Sequence, residues 1–247
     1  MKGKIKFYKD KIALNLLARD VKNASDINDT LEGHEIIGVL SDRFDKVEDG
    51  VKYVNEMLKY VSAVSVGLGN GNPNQWEMAA EIAKETDSGH VNQVFPTAGY
   101  TQGLLEGSGA NNTLVNALIS PTGTVGKVII STGPFSSKNN IVVDIDDALL
   151  MLKDCKIKSV KFYNIHGLKH IKELKEVAKA CVRNGIPVIE PTGGIDLSNI
   201  YEIVRVCVEA KCEKIIPHVY SSAVDKKTGL TDLNIVKNLY DEIKRVV

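Results

Sequence analysis

Residues 159–200 read SVKFYNIHGLKHIKELKEVAKACVRNGIPVIEPTGGIDLSNI. The first and third parts of this stretch, SVKFYNI and PVIEP, are short and dominated by β-branched or aromatic residues, as strands buried on both faces of a sheet are. Between them, Ile171, Leu174, Val177, Ala178 and Cys181 recur at i, i+3, i+4 spacing from His170 to Arg183, and Asn184-Gly185 ends the pattern. That is a helix with its stop signal. A strand, a helix and a second strand in this order form a βαβ unit, which builds parallel sheets.

The same unit recurs outward in both directions. Apolar runs start near Ile12, Ile36, Ser62, His90, Val115, Ser159, Pro187 and Lys214, and intervals of helical character separate them. Helix starts are expected at Asn23-Ala-Ser-Asp26, at Pro73 with proline in the first turn, after Asp144, at Ser198, and at Thr231-Asp232. Eight βα units in 247 residues match the size of a closed (β/α)8 TIM barrel. The sequence therefore predicts one α/β domain over residues 1–247. One interval breaks the rhythm: SPTGTVGKVIISTGPFSSKNN, residues 120–140, follows the fifth strand. GKVIIST reads as an extra strand, a hairpin with the end of VNALIS or part of a subunit contact. The alternative is that it is itself the fifth strand.

Hydrophobic residues make up 43% of the chain, enough for a sizeable core, and 31 basic residues balance 31 acidic ones. That balance speaks against a nucleic-acid partner. The apolar run near the N-terminus is short, contains Asn15 and ends in Arg19-Asp20, so a first strand is expected rather than a signal peptide. No run reaches the roughly 18 apolar residues of a membrane helix. Cys155, Cys181, Cys207 and Cys212 contain no C-x-x-C pair and read as small buried hydrophobes of a reducing cytoplasm.

In a barrel of this kind the active site sits at the C-terminal ends of the strands and in the loops that follow. The polar residues there are Asn15 and Arg19, Asp42-Arg43, the loop Gly67-Leu-Gly-Asn-Gly-Asn72, His90 with Asn92 and Gln93, Lys161, Glu190 and His218. Lys161 stands out because Val160 and Phe162 flank it. Burial disfavours its charge, and a neutral ε-amine attacks carbonyls. The competing reading is a structural ion pair with Glu190 on the neighbouring strand. Glu190 is a candidate acid/base or a ligand for a hard metal. Gly193-Gly194 ahead of a helix, with Ser221-Ser222 after the last strand, offer donors to a phosphate. Arg19 or Arg43 is a candidate clamp for a carboxylate. The glycines of residues 67–71 lack dinucleotide-fold spacing and suggest close approach of backbone to a small ligand.

The segments SVGLGNGNPNQW, HVNQVF, SVKFYNIHGLKH, VIEPTGGIDLSNI and PHVYSSAVDKKTGLT resemble the 2-dehydro-3-deoxy-6-phosphogluconate aldolase family of D-glucosaminate degradation, from about residue 10 to the C-terminus. The resemblance implies a (β/α)8 fold and retro-aldol cleavage of a phosphorylated 2-keto-3-deoxy sugar acid to pyruvate and glyceraldehyde 3-phosphate. It puts the Schiff base on Lys161 and the acid/base role on Glu190. Arg19, Arg43, Asn92, Gly193, Gly194, His218 and Ser221 are the expected substrate contacts. One departure is Tyr163-Asn164, where an apolar pair is expected after the lysine and its aromatic neighbour. The expectation is a cytoplasmic homo-oligomer without cofactor or metal. The rival on the same barrel is an aldolase using Mg2+ or a similar divalent cation, with Glu190, His218 and His90 as ligands or near-ligands. A more distant rival is a sugar-phosphate-binding protein without activity.

Overall fold

The computed structural model describes residues 2–247. Eight parallel staves close into a barrel. They are β1 (Leu14–Leu17), β2 (Glu35–Leu40), β3 (Val64–Gly67), β4 (Gly89–Val91), β5 (Leu114–Pro121), β8 (Ser159–Tyr163), β9 (Val188–Thr192) and a last stave in two pieces, β10 (Lys214–Ile215) and β11 (His218–Val219). Closure is made by β11 pairing with β1 at Asn15↔His218 and with β9 at His218↔Thr192. Pro217 separates the two pieces of the last stave. It has no N–H for the ladder, although its carbonyl still accepts from Asn15 N.

Eight helices surround the barrel: α1 (Val21–Thr30), α2 (Val47–Met57), α3 (Trp76–Thr86), α4 (Ala98–Ser108), α5 (Ile145–Asp154), α6 (Ile171–Asn184), α7 (Ile200–Glu209) and α8 (Leu233–Lys244). Several ends follow the sequence signals. Asp232 caps α8 by accepting from Asn234 N and Ile235 N, and Gly185 closes α6 at φ +69°. Three starts differ from expectation. Pro73 opens a 3-10 turn, Pro73–Gln75, and α3 follows it at Trp76. Helix α1 begins at Val21 because Asp20, rather than a residue of Asn23–Asp26, accepts from Asn23 N. Asn199 occupies the cap position of α7, while Ser198 Oγ is spent on Asp196.

The interval after β5 holds the predicted extra strand. β6 (Lys127–Ile129) pairs antiparallel with the end of β5 at Ser120↔Ile129, and β7 (Val142–Asp144) pairs with β6 before the chain enters α5. VNALIS remains the fifth stave, and the excursion hangs outside the ring. The turn of this excursion is tied to α6: Glu173 accepts from Thr122 N and Gly123 N. Cys181, Cys207 and Cys212 are buried and free, as expected. Cys155 is exposed at the end of α5.

Strand alternation sorts the side chains into layers. Val160, Phe162 and Ile189 belong to the apolar shell between barrel and helices. A separate small cluster of Ala13, Ile36, Ala63, Val188 and Ile216, joined by Ile5, Phe7 and Leu114, fills the interior at the N-terminal end. The preceding chain is stitched beneath it by Gly3 N to Asp87 O and Lys4 N to Ser62 O, each 2.8 Å. Beyond that plug, toward the strand C-termini, the buried set becomes polar: Asn15, Ser65, His90, Asn92, Asn116, Ser159, Lys161, Glu190 and His218. This polar layer is where the barrel departs from a purely apolar filling.

Candidate active site

A cavity of about 310 Å³ opens at the strand C-termini. Lys161, Asn92 and His218 lie in it, with Leu17, Leu40 and Leu118 as apolar wall. The loop of residues 67–71, Tyr163-Asn164, residues 192–196 and residues 220–222 form its rim.

Lys161 is brought in by β8, paired with β5 at Leu118 and with β9 at Glu190. Its ammonium nitrogen donates to Asn92 Oδ1 at 2.8 Å, and the side chain is otherwise enclosed. Burial pulls its pKa down from the ordinary 10.5 to about 8, against the opposing charge of Glu190. About a tenth of the amine is then neutral at pH 7, which supplies the free lone pair a nucleophilic amine requires.

Glu190 lies under the cavity floor, fully enclosed. Four donors converge on it: His218 Nε2 at 2.7 Å, Asn116 Nδ2 at 2.7 Å, His90 Nε2 at 2.9 Å, and the Ser159 hydroxyl. Burial alone would raise its pKa. The charge of His90 and the hydrogen bonds of His218 and His90 outweigh that and hold the carboxyl well below the ordinary carboxylate range. A buried carboxylate with every lone-pair direction met is a stable anion. The amides link it to the lysine, because Asn116 Nδ2 also reaches Asn92 Oδ1 at 3.0 Å. Asn92 Nδ2 donates to Ser65 Oγ, which meets His90 Nδ1 at 2.8 Å. Asn92, Asn116, Ser65 and both histidines thus form one network around Glu190. His218 is held at about 3 by burial first and by the Lys161 charge second, although Glu190 opposes both.

Of the residues expected at the site, Lys161, Asn92, Gly193, Gly194, His218 and Ser221 line the cavity, and Glu190 supports it from below. Arg19 and Arg43 do not reach it. Arg19 is exposed and donates to Thr228 O at 2.7 Å, and the guanidinium of Arg43 lies over the Tyr53 ring, 5.4 Å from its centroid. Each has a partner of its own on the outer surface, so the cavity contains no arginine. The glycine loop of residues 67–71 forms a wall, with Gly69 at φ +57° and Gly71 at φ +74°. The unexpected Asn164 has a structural reason. Its Oδ1 accepts from His166 N at 2.9 Å and lies where a Cβ on Gly193 would sit, only 1.9 Å away. Ser65, Asn116, Ser159 and Tyr220 were not among the sequence candidates. A polar residue in an inward-facing register of a buried strand was the signal available for the first three.

Among the described residues, His90, Glu190 and His218 form a grouping whose ligand atoms lie within 4.8 Å of one another. It suits Mg2+ poorly, because hard cations take oxygen ligands and imidazole suits softer transition metals. Both Nε2 atoms are engaged with the carboxylate itself. Metal-binding histidines usually donate their other ring nitrogen to a carboxylate or carbonyl. Here His90 Nδ1 meets a hydroxyl and His218 Nδ1 has no partner.

The sequence model of the KDGP aldolase family matches residues 8–227. The chain belongs to the KDGP aldolase family. A 2-dehydro-3-deoxy-phosphogluconate aldolase of Salmonella typhimurium (strain 14028s / SGSC 2262) is 43% identical over 244 residues, covering 98% of this chain and 99% of that protein. The chain is accordingly a carbon–carbon lyase. Solved structures share its architecture at much lower identity. N-(5'-phosphoribosyl)anthranilate isomerase from Pyrococcus furiosus matches with TM-score 0.57 at 13% identity, covering 95% of this chain and all of that one. Thiamine phosphate pyrophosphorylase from the same organism matches with TM-score 0.58 at 12%, covering 97% and 98%. At these identities the likeness concerns the barrel alone.

Proposed function

We propose that this aldolase cleaves 2-dehydro-3-deoxy-6-phosphogluconate, or a related 4-hydroxy-2-oxo acid, to pyruvate and glyceraldehyde 3-phosphate through an imine on Lys161. The observation that carries this reading is a lysine enclosed at the cavity floor with its pKa depressed to about 8. The neutral amine adds to the C2 ketone and expels water. The resulting iminium withdraws the C3–C4 electrons as that bond breaks, and Glu190, fixed beneath it, balances the positive charge. Asn92 holds the nitrogen in place before attack. With no arginine in the cavity, the anionic ends of the substrate fall to backbone and hydroxyl donors. Gly193, Gly194 and Ser221, after the seventh and eighth staves, are placed where barrels commonly take phosphate.

This reading requires no metal or other cofactor. Borohydride reduction in the presence of pyruvate tests it. The expected product is a covalent adduct on Lys161, absent in Lys161→Met, with cleavage lost by at least about 10³-fold, within the range of a removed covalent catalyst. Loss of activity in EDTA, with no adduct in the native chain, would instead favour the divalent-cation mechanism. A binding protein without activity is set aside by the family, whose members are aldolases. A homo-oligomer in the cytoplasm is also part of the proposal. The excursion after β5 exposes Phe135, Ile141 and Val142, and no helix among the described residues is long and apolar enough to cross a membrane.

A further inference from the structure

Glu190 was the natural sequence candidate for the group that exchanges a proton with substrate, but its surroundings leave it little capacity to do so. It does not line the cavity, and both of its oxygens are already occupied by His90, Ser159, Asn116 and His218. Between Glu190 and the cavity stands His218. Its ring is enclosed, its Nε2 is 2.7 Å from Glu190 Oε2, and Asn15 Nδ2 approaches the same nitrogen only to 3.4 Å. His218 Nδ1 is one of the few buried side-chain atoms without a hydrogen-bond partner. An imidazole that donates from Nε2 to a carboxylate keeps its lone pair on Nδ1. A buried polar atom left unpaired is costly unless something fills it.

We infer that His218 Nδ1 is the catalytic base and acid of the aldolase, with Glu190 as the buried carboxylate that orients it and stabilises its protonated form. The arrangement is a carboxylate–imidazole pair in which the carboxylate sets the tautomer and never takes the proton itself. The inference rests on the Lys161 imine. From that intermediate, Nδ1 removes the C4 hydroxyl proton as the C3–C4 bond breaks. The bonding pair becomes the C2=C3 bond of an enamine, and the aldehyde leaves. The imidazolium then returns its proton to C3, giving the pyruvate iminium, and water releases pyruvate and the free amine. One proton is taken and one returned, with no oxidant, reductant or metal in the balance. His90 has no equivalent free nitrogen, because Ser65 meets its Nδ1 and Glu190 its Nε2.

The test is His218→Gln, whose side-chain amide can still reach Glu190 while the Nδ1 lone pair is removed. Three quantities are measured on it beside the native chain: the borohydride-trapped adduct with pyruvate, deuterium exchange into the pyruvate methyl group, and cleavage of 2-dehydro-3-deoxy-6-phosphogluconate. The expected result is a retained adduct, with exchange and cleavage both reduced by about 10²–10⁴-fold, the usual worth of a positioned acid–base. Cleavage and exchange within tenfold of native overturn the assignment, as does loss of the adduct in a folded variant. If His218→Gln fails to fold, His218→Ala is assayed with added imidazole. Restored cleavage supports the assignment, and none overturns it. Absence of an adduct in the native chain would instead indict the imine reading, so the two failures are distinguishable.

Discussion

Lys161 carries a cost that shows in stability as well as in chemistry. Its folded pKa of about 8 lies below the ordinary 10.5, so between those values the unfolded chain holds a proton that the folded chain has released. Folding stability therefore rises with pH across that window, and below it the full penalty applies. A displacement of this size corresponds to roughly 3 kcal/mol. Lys161→Met, similar in length and uncharged, should raise the denaturant midpoint at pH 7 and flatten the rise between pH 8 and 10.5. Equal slopes for the two proteins would contradict the burial argument. Gly193 makes a second residue-scale case. Its φ of +105° and the Asn164 Oδ1 atom 1.9 Å from a would-be Cβ both oppose a side chain. Gly193→Ala should cost about 1–3 kcal/mol in backbone strain, plus a steric component. In thermal melts Asn164→Ala should relieve that steric component only, leaving the double variant above the Gly193→Ala midpoint and below the native one.

Elements were the most legible level of the sequence, because strands covered on both faces run apolar and helices advertise their ends. The lysine was visible for the same reason: one long cation in a run of buried residues. Ser65, Asn116 and Ser159 were less visible, since a small polar residue in a strand reads alike whether it faces barrel or shell, and only closure of the ring shows where it points. Arg19 and Arg43 misled because a long side chain after a strand can turn inward or outward, and partners far along the chain, Thr228 for one, decide it. The excursion after β5 was seen as a strand, but its anchor was not. Glu173, on α6, takes two backbone N–H groups from the turn at Thr122 and Gly123. Glu173→Ala should leave those amides without their acceptor, lower stability by about 1–3 kcal/mol, and speed hydrogen exchange at Thr122 and Gly123 while exchange in β8 stays slow.

At the scale of the whole molecule, the barrel is asymmetric along its axis, with an apolar filling below, a charged and hydrogen-bonded layer above it, and a cavity over both. The polar layer is tolerated because its groups, His218 Nδ1 apart, satisfy one another, whereas the lower filling and the outer shell supply the apolar burial that holds the ring closed. The plug of Ile36, Val188 and Ile216, backed by Ile5 and Phe7, also governs traffic. With the lower end shut, arrivals and departures share one doorway, and a molecule still tethered to the floor cannot leave before the fragment lying above it. If cleavage runs through the proposed Lys161 imine, the aldehyde fragment should therefore depart first and the tethered three-carbon acid last. Steady-state inhibition reads that order directly: pyruvate should compete with substrate, and glyceraldehyde 3-phosphate should inhibit noncompetitively.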